Sequence, residues 1–253
     1  MFFGIDGENW ALFFALNFLV GTAAYCLASV LGKRQSISVV LATTLLIYFS
    51  LITLLVLFIG VVLKNISFTT VLIGTCILTV PVIAVLWRSR MPFVSSVHFS
   101  LRRLLSGHRP WMLALMSLLV LQLLITFFKV AVMPVNIADS LSYRAPPATM
   151  WYQLGMIPSV LDVPVNEING RSLGIAVLML WYFLPLQDDL LVNLSQFFSS
   201  IILILVTYAI ARQCNVPRLW SVTAASLVYF MPTVLIQSTV IQDHLSINVA
   251  FLC

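Results

Sequence analysis

Charge is what this sequence has least of. Only 8% of its 253 residues are Asp, Glu, Lys or Arg, against 61% hydrophobic ones. Soluble domains carry roughly 25% charged residues, so this scarcity excludes an ordinary water-soluble fold. With a mean hydropathy of +1.08, the chain reads as a polytopic membrane protein. Cysteine is scarce as well. Cys26, Cys76, Cys214 and Cys253 lie far apart, which gives neither a disulfide framework nor metal-ligand spacing and leaves core thiols. Internal repeats and low-complexity tracts are missing, which disfavours the repeat-built transporters. The first apolar segment is preceded by acids, Asp6 and Glu8, rather than the basic region of a cleaved signal peptide.

What is there is a series of oily runs. Crossing a bilayer takes about 20 residues of helix. Runs of that kind cover 10–31, 37–63, 68–87, 110–133, 190–211 and 218–237. A seventh begins near Leu245 with only nine residues before Cys253, so the chain reads as C-terminally truncated. The expected fold class is an all-α transmembrane bundle: six full spans, a truncated seventh and one shorter outer-face helix.

Cations orient the spans. The net charge of +5 does not point to nucleic acid, because the bases sit in short loops between apolar runs. Lys33 and Arg34 follow the first span. Arg88, Arg90, Arg102, Arg103 and Arg109 follow the third, and Arg212 and Arg218 the fifth. The positive-inside rule assigns these loops to the cytoplasmic side. All eight acids (Asp6, Glu8, Asp139, Asp162, Glu167, Asp188, Asp189, Asp243) then fall outside. The apolar stretch Ser172 to Leu186 is too short to span and ends in Pro185-Leu-Gln-Asp188-Asp189. It is expected as an interfacial or re-entrant helix on the outer face.

Two parts follow. Residues 1–109 hold three transmembrane helices and a basic cytoplasmic linker, and residues 110–253 hold every candidate for chemistry. Foremost is the polar loop 133–171, which opens Asn136-Ile-Ala-Asp139-Ser-Leu-Ser-Tyr143-Arg144. Asp139, after the fourth span, and Asp243, before the seventh, are placed at one membrane surface by this topology.

The second part resembles the GT-C superfamily of membrane glycosyltransferases, in particular the protein O-mannosyltransferases and lipid A aminoarabinose transferases. Five features carry the resemblance in order. These are Asp139-Ser-Leu-Ser-Tyr143, then Trp151-Tyr-Gln-Leu-Gly155, then the short segment 172–186, then Tyr208-Ala-Ile-Ala-Arg212, and last Pro232 followed by Gln237-Ser-Thr-Val-Ile-Gln242-Asp243. Arg144 stands where many relatives place histidine, and the family usually runs to about twice this length.

The resemblance implies an inverting transfer of sugar from a polyprenyl-phosphate donor to a lipid, glycan or protein acceptor, at the outer face of a bacterial inner membrane. An attacking hydroxyl needs a base, and Asp139 is the candidate; its plain alternative is a helix-capping loop residue. Asp243, with His244 beside it, would orient the acceptor, share a divalent metal (Mg or Mn) with Asp139, or only end a span. A leaving lipid phosphate needs a cation, for which Arg144, Arg171 and Lys129 are at hand. Lys129 also suits a snorkelling amine. Tyr143, Trp151 and Tyr152 would stack on a sugar or form an interfacial aromatic belt. The sequence leaves cofactors undetermined. Two other readings compete: a transporter or flippase-like carrier, which would show polar residues and broken helices within the spans, and an inactive GT-C fragment.

Overall fold

The structure is a computed structural model. It describes residues 5–32, 35–88, 110–133, 141–142, 145–158 and 174–240. In chain order its helices are α1 (Gly7–Leu31), α2 (Ile37–Leu57, continued by a wider π turn, Phe58–Leu63), α3 (Phe68–Arg88), α4 (Pro110–Val132), α5 (Ala145–Leu154), α6 (Gly174–Leu186), α7 (Leu194–Gln213), α8 (Arg218–Phe230) and α9 (Pro232–Gln237). Five are long and apolar enough to cross a membrane: Gly7–Leu31, Ile37–Leu63, Phe68–Val85, Pro110–Val132 and Leu194–Gln213. The chain is a polytopic helical protein.

The sixth expected span differs. Residues 218–237 form not one helix but α8 and α9, separated at Met231. Pro232 disfavours helical backbone in the residue before it, and Met231 is accordingly extended, with φ −58° and ψ 128°. Proline then suits the first turn of α9, where an N–H has no helical partner anyway. The truncated seventh span falls outside the described residues.

α6 also departs from an interfacial placement. An interfacial helix is amphipathic, whereas α6 is apolar all round and eleven of its thirteen residues are buried. A helix with no polar face belongs inside a bundle. It packs against α1, α2 and α5, with a lighter contact to α7. About 20 Å long at 1.5 Å per residue, α6 is too short to cross, so of the two readings its burial favours the re-entrant one.

Within the apolar surroundings, helices meet through small and self-satisfied residues, as packing in lipid requires. α1 buries Ala23, Ala24 and Ala28, and α1 packs along α2 and α3. α7 is the most enclosed span, 56% buried against 11% for α4. It turns Ser195, Gln196, Ser199 and Ser200 inward. The serine hydroxyls donate to nearby backbone carbonyls, Ser195 to Val192 in the turn before α7 and Ser200 to Phe197 within it, at 3.2 and 2.7 Å, so their burial leaves no hydroxyl donor unmade. One core runs through both parts of the sequence. Leu16 and Ile52 share it with Trp151, Leu180 and Trp181.

Candidate functional site at the outer face

The ends of the spans differ in charge. At one end lie Arg212 and Arg218, at the α7–α8 turn. Trp111 and Trp220, 6.3 Å apart, bring the start of α4 to the same end. At the opposite end, taken as the outer face, lie Asp6 and Glu8 before and within α1, Lys64 after the π turn, and Asp188 and Asp189 between α6 and α7. The Asn193 side-chain amide donates to the Met133 carbonyl at 3.2 Å, so the start of α7 meets the end of α4 there. Every carboxylate among the described residues is at this end.

Within the segment that follows α4, residues 145–158 are built into this face. α5 begins with Pro146 and Pro147, residues tolerated only in a first turn. It buries Pro147, Ala148 and Trp151. Just beyond, Gly155 takes a left-handed backbone with φ +66°, which reverses the chain toward the α2–α3 turn. There the Ile66 N–H donates to the Gly155 carbonyl, and the Ile157 N–H donates to the Gly60 carbonyl at 2.9 Å. Gly60 is required by this approach: a Cβ on it would meet Ile157 side-chain atoms at 2.6 Å. Tyr152 leans on Phe183 of α6, edge to face, with ring centroids 4.9 Å apart. The Trp-x-x-x-Gly element is therefore a clamp that fixes α5 and residues 155–157 against the first part of the chain.

Of the sequence-derived site residues, the structure describes three: Lys129, Trp151 and Tyr152, the last held against Phe183. Lys129 is exposed in the last turn of α4, its carbonyl bonded to the Met133 N–H at 2.9 Å. Its side chain is therefore exposed at the end of α4 that lies at this face. Trp151 is 1% exposed and sits in the core, where it anchors α5. Asp139, Tyr143, Arg144, Asp243 and His244 lie outside the described residues, as do Asp162, Glu167 and Arg171. No cluster of three or more metal-ligating side chains occurs among the described residues.

Two charged residues prove to have local duties. The Arg212 guanidinium donates to the Val216 carbonyl at 2.5 Å, closing the α7–α8 turn around Asn215, whose φ is +60°. Asp188 accepts the Leu190 N–H at 2.8 Å and so shapes the turn into α7.

A second polar group had only a faint sequence signal, a lone asparagine inside the first span. The carbonyl oxygen of the Asn17 side chain accepts the Trp181 indole N–H at 3.0 Å and the Tyr48 hydroxyl. Its amide donates to the Phe13 carbonyl at 2.7 Å. The Tyr182 hydroxyl lies beside that of Tyr48 without reaching hydrogen-bond geometry. A polar group in hydrocarbon needs a partner, which was reason to look for one near Asn17. Finding it in segment 172–186 required the tertiary structure.

No protein-family model matches the chain, and neither does any curated protein or solved structure.

Proposed function

We propose that the chain is a membrane glycosyltransferase, moving a sugar from a polyprenyl-phosphate donor to an acceptor at the outer face with inversion at the anomeric carbon. An acceptor hydroxyl attacks that carbon. The bond from carbon to phosphate oxygen breaks, polyprenyl phosphate leaves, and the hydroxyl proton passes to Asp139. Arg144 and Lys129 offer positive charge to the departing phosphate. Asp243 and His244 orient the acceptor or hold a divalent metal with Asp139, and Tyr143 lines the sugar. Beside the motif order in the sequence, the carrying observation is the clamp at Trp151 and Gly155. It holds the segment directly after Tyr143-Arg144 at the face where Lys129 emerges, as a surface active site requires. A bacterial inner membrane is the proposed setting.

A carrier without catalytic activity is the second reading, and the helix break at Met231–Pro232 is what favours it, since discontinuous helices line substrate paths in transporters. Mass spectrometry of copurifying lipids separates the two. Polyprenyl phosphate or its sugar adduct retained by the wild type, weakened by Arg144→Ala and accumulating sugar-loaded in Asp139→Asn, supports transfer. Ordinary phospholipid alone in all three proteins sinks the transferase reading.

A further inference from the structure

Two tryptophans far apart in sequence meet at the end of the molecule opposite the carboxylates. Trp111 lies in the first turn of α4 and Trp220 in the first turn of α8, with ring centroids 6.3 Å apart and an interplanar angle of 48°. Both rings stay outside the core, Trp111 being 41% exposed and Trp220 58%. Tryptophan is best placed where hydrocarbon meets the headgroups, with its ring apolar and its N–H wet. The pair therefore marks headgroup level at the junction of α4 and α8.

Deeper on the same two faces the surface is apolar. Seven residues are close to two helical turns, so Leu118 stands beneath Trp111 and Leu227 beneath Trp220. These leucines are 52% and 59% exposed, and α4 is the least enclosed span. Bare apolar strips thus run from the tryptophans into the membrane, about 10 Å over seven residues at the usual rise.

The polar end of this surface is basic. Arg218 shares the first turn of α8 with Trp220, is exposed, and meets no hydrogen-bond or ion-pair partner among the described residues. Arg212 donates to the Val216 carbonyl, which uses one of the five N–H groups of a guanidinium. No carboxylate among the described residues lies at this end to neutralise either cation. Basic pockets between spans on the cytoplasmic side suit anionic headgroups. Cations without counter-ions, an aromatic pair at the boundary and bare leucines below match one partner over its whole length.

We propose that the α4–α8 junction at this end binds an anionic phospholipid. Its phosphate and headgroup lie against Arg218 and Arg212, its glycerol region beside Trp111 and Trp220, and an acyl chain along Leu118 and Leu227. A zwitterionic lipid offers the same chain but brings an ammonium group that the arginines repel, so headgroup charge is what the surface selects. The surface is at the membrane face opposite the polar loop, and it stands or falls apart from the transfer chemistry.

The test places the full chain in phosphatidylcholine nanodiscs doped with phosphatidylglycerol brominated on its acyl chains near the headgroup, or with phosphatidylcholine brominated alike. Bromine quenches tryptophan fluorescence at close range. In each background, the quenching lost on adding Trp111→Phe and Trp220→Phe together is the share of this pair. Brominated phosphatidylglycerol reaches half of that share at a mole fraction about fivefold or more below that of brominated phosphatidylcholine, fivefold being the worth of one arginine near an anionic headgroup. Arg218→Gln lowers this preference about fivefold, and Arg218→Lys retains most of it. Lys64→Gln, which removes the same charge at the far end, leaves it unchanged. Equal quenching by the two lipids in the wild type overturns the site. A preference undiminished in Arg218→Gln, or lowered as much by Lys64→Gln, assigns the effect to overall protein charge and overturns it as well.

Discussion

The Tyr229 hydroxyl donates to the Thr126 side-chain oxygen at 3.1 Å, tying α8 to α4 across 103 positions of sequence. Tyr229 is completely enclosed and Thr126 nearly so. Gln122, one turn earlier on α4, lies 3.5 Å from the same threonine oxygen. α4 is otherwise the least enclosed span, so this bond is a specific attachment for a helix whose remaining faces are largely bare.

Tyr229→Phe should therefore lower stability by about 0.6–1.5 kcal/mol, the usual range for one interhelical bond in a membrane protein. Thr126→Val should do the same. The double variant should lose less than the sum of the two. Reversible unfolding in mixed micelles measures all three, and strict additivity would show that the two residues are not coupled.

The loop clamp should be sensitive at its glycines. Gly155→Ala places a side chain in a left-handed backbone, which costs about 1–2 kcal/mol. Gly60→Val must displace Ile157 and, behind it, Ile66, whose terminal carbon lies 3.1 Å from a Cβ at that position; overpacking of this kind costs about 1–3 kcal/mol. Both variants should speed hydrogen exchange in α5 while leaving α8 unchanged. Exchange in α5 equal to wild type would mean that the pairing of residues 60–66 with 155–157 does not hold the loop.

Pro232→Ala restores a backbone N–H and releases Met231 from its extended conformation. α8 and α9 should join into one helix over 218–237, seen as new protection of amides 232–234 in exchange experiments. Persistent lack of protection there would assign the break to surrounding packing rather than to the proline.

The topology makes opposite predictions at two exposed positions. Cys214 is exposed beside Arg212, and Lys64 is exposed at the far end. A membrane-impermeant maleimide should label Cys214 only after the cytoplasmic side is opened, and Lys64→Cys from the outside of sealed cells. The reverse pattern would invert the orientation argued from charge.

The sequence was enough for the five long apolar helices, because they follow from terms that act residue by residue. An apolar run of about 20 residues has no stable option in lipid but a helix with its own hydrogen bonds satisfied, and the direction argued for the spans rests on an excess of cations on one side. The polar loop stood out for the same reason, since its composition differs locally from everything around it. Much of the proposed site was less accessible: Asp139, Asp243, Arg144, Tyr143 and His244 were chosen by motif, and spacing along the chain does not encode which of them meet.

What only the tertiary structure decided is how segments distant in sequence satisfy one another. Trp151 belongs to the core because α5 folds back on the α2–α3 turn, a contact between residues nearly ninety positions apart. Residues 172–186 are equally apolar whether they lie on a membrane or inside a bundle; burial between α1, α2 and α5 settled their place. The span 218–237 is hydrophobic from end to end, and one backbone restriction before Pro232 divides it. Asn17 is the clearest case. Its need for partners was written in the first span, but which donors met that need, Tyr48 and Trp181, was fixed by packing, because a hydrogen bond in hydrocarbon specifies a partner only once helices have been brought within 3 Å or so of one another.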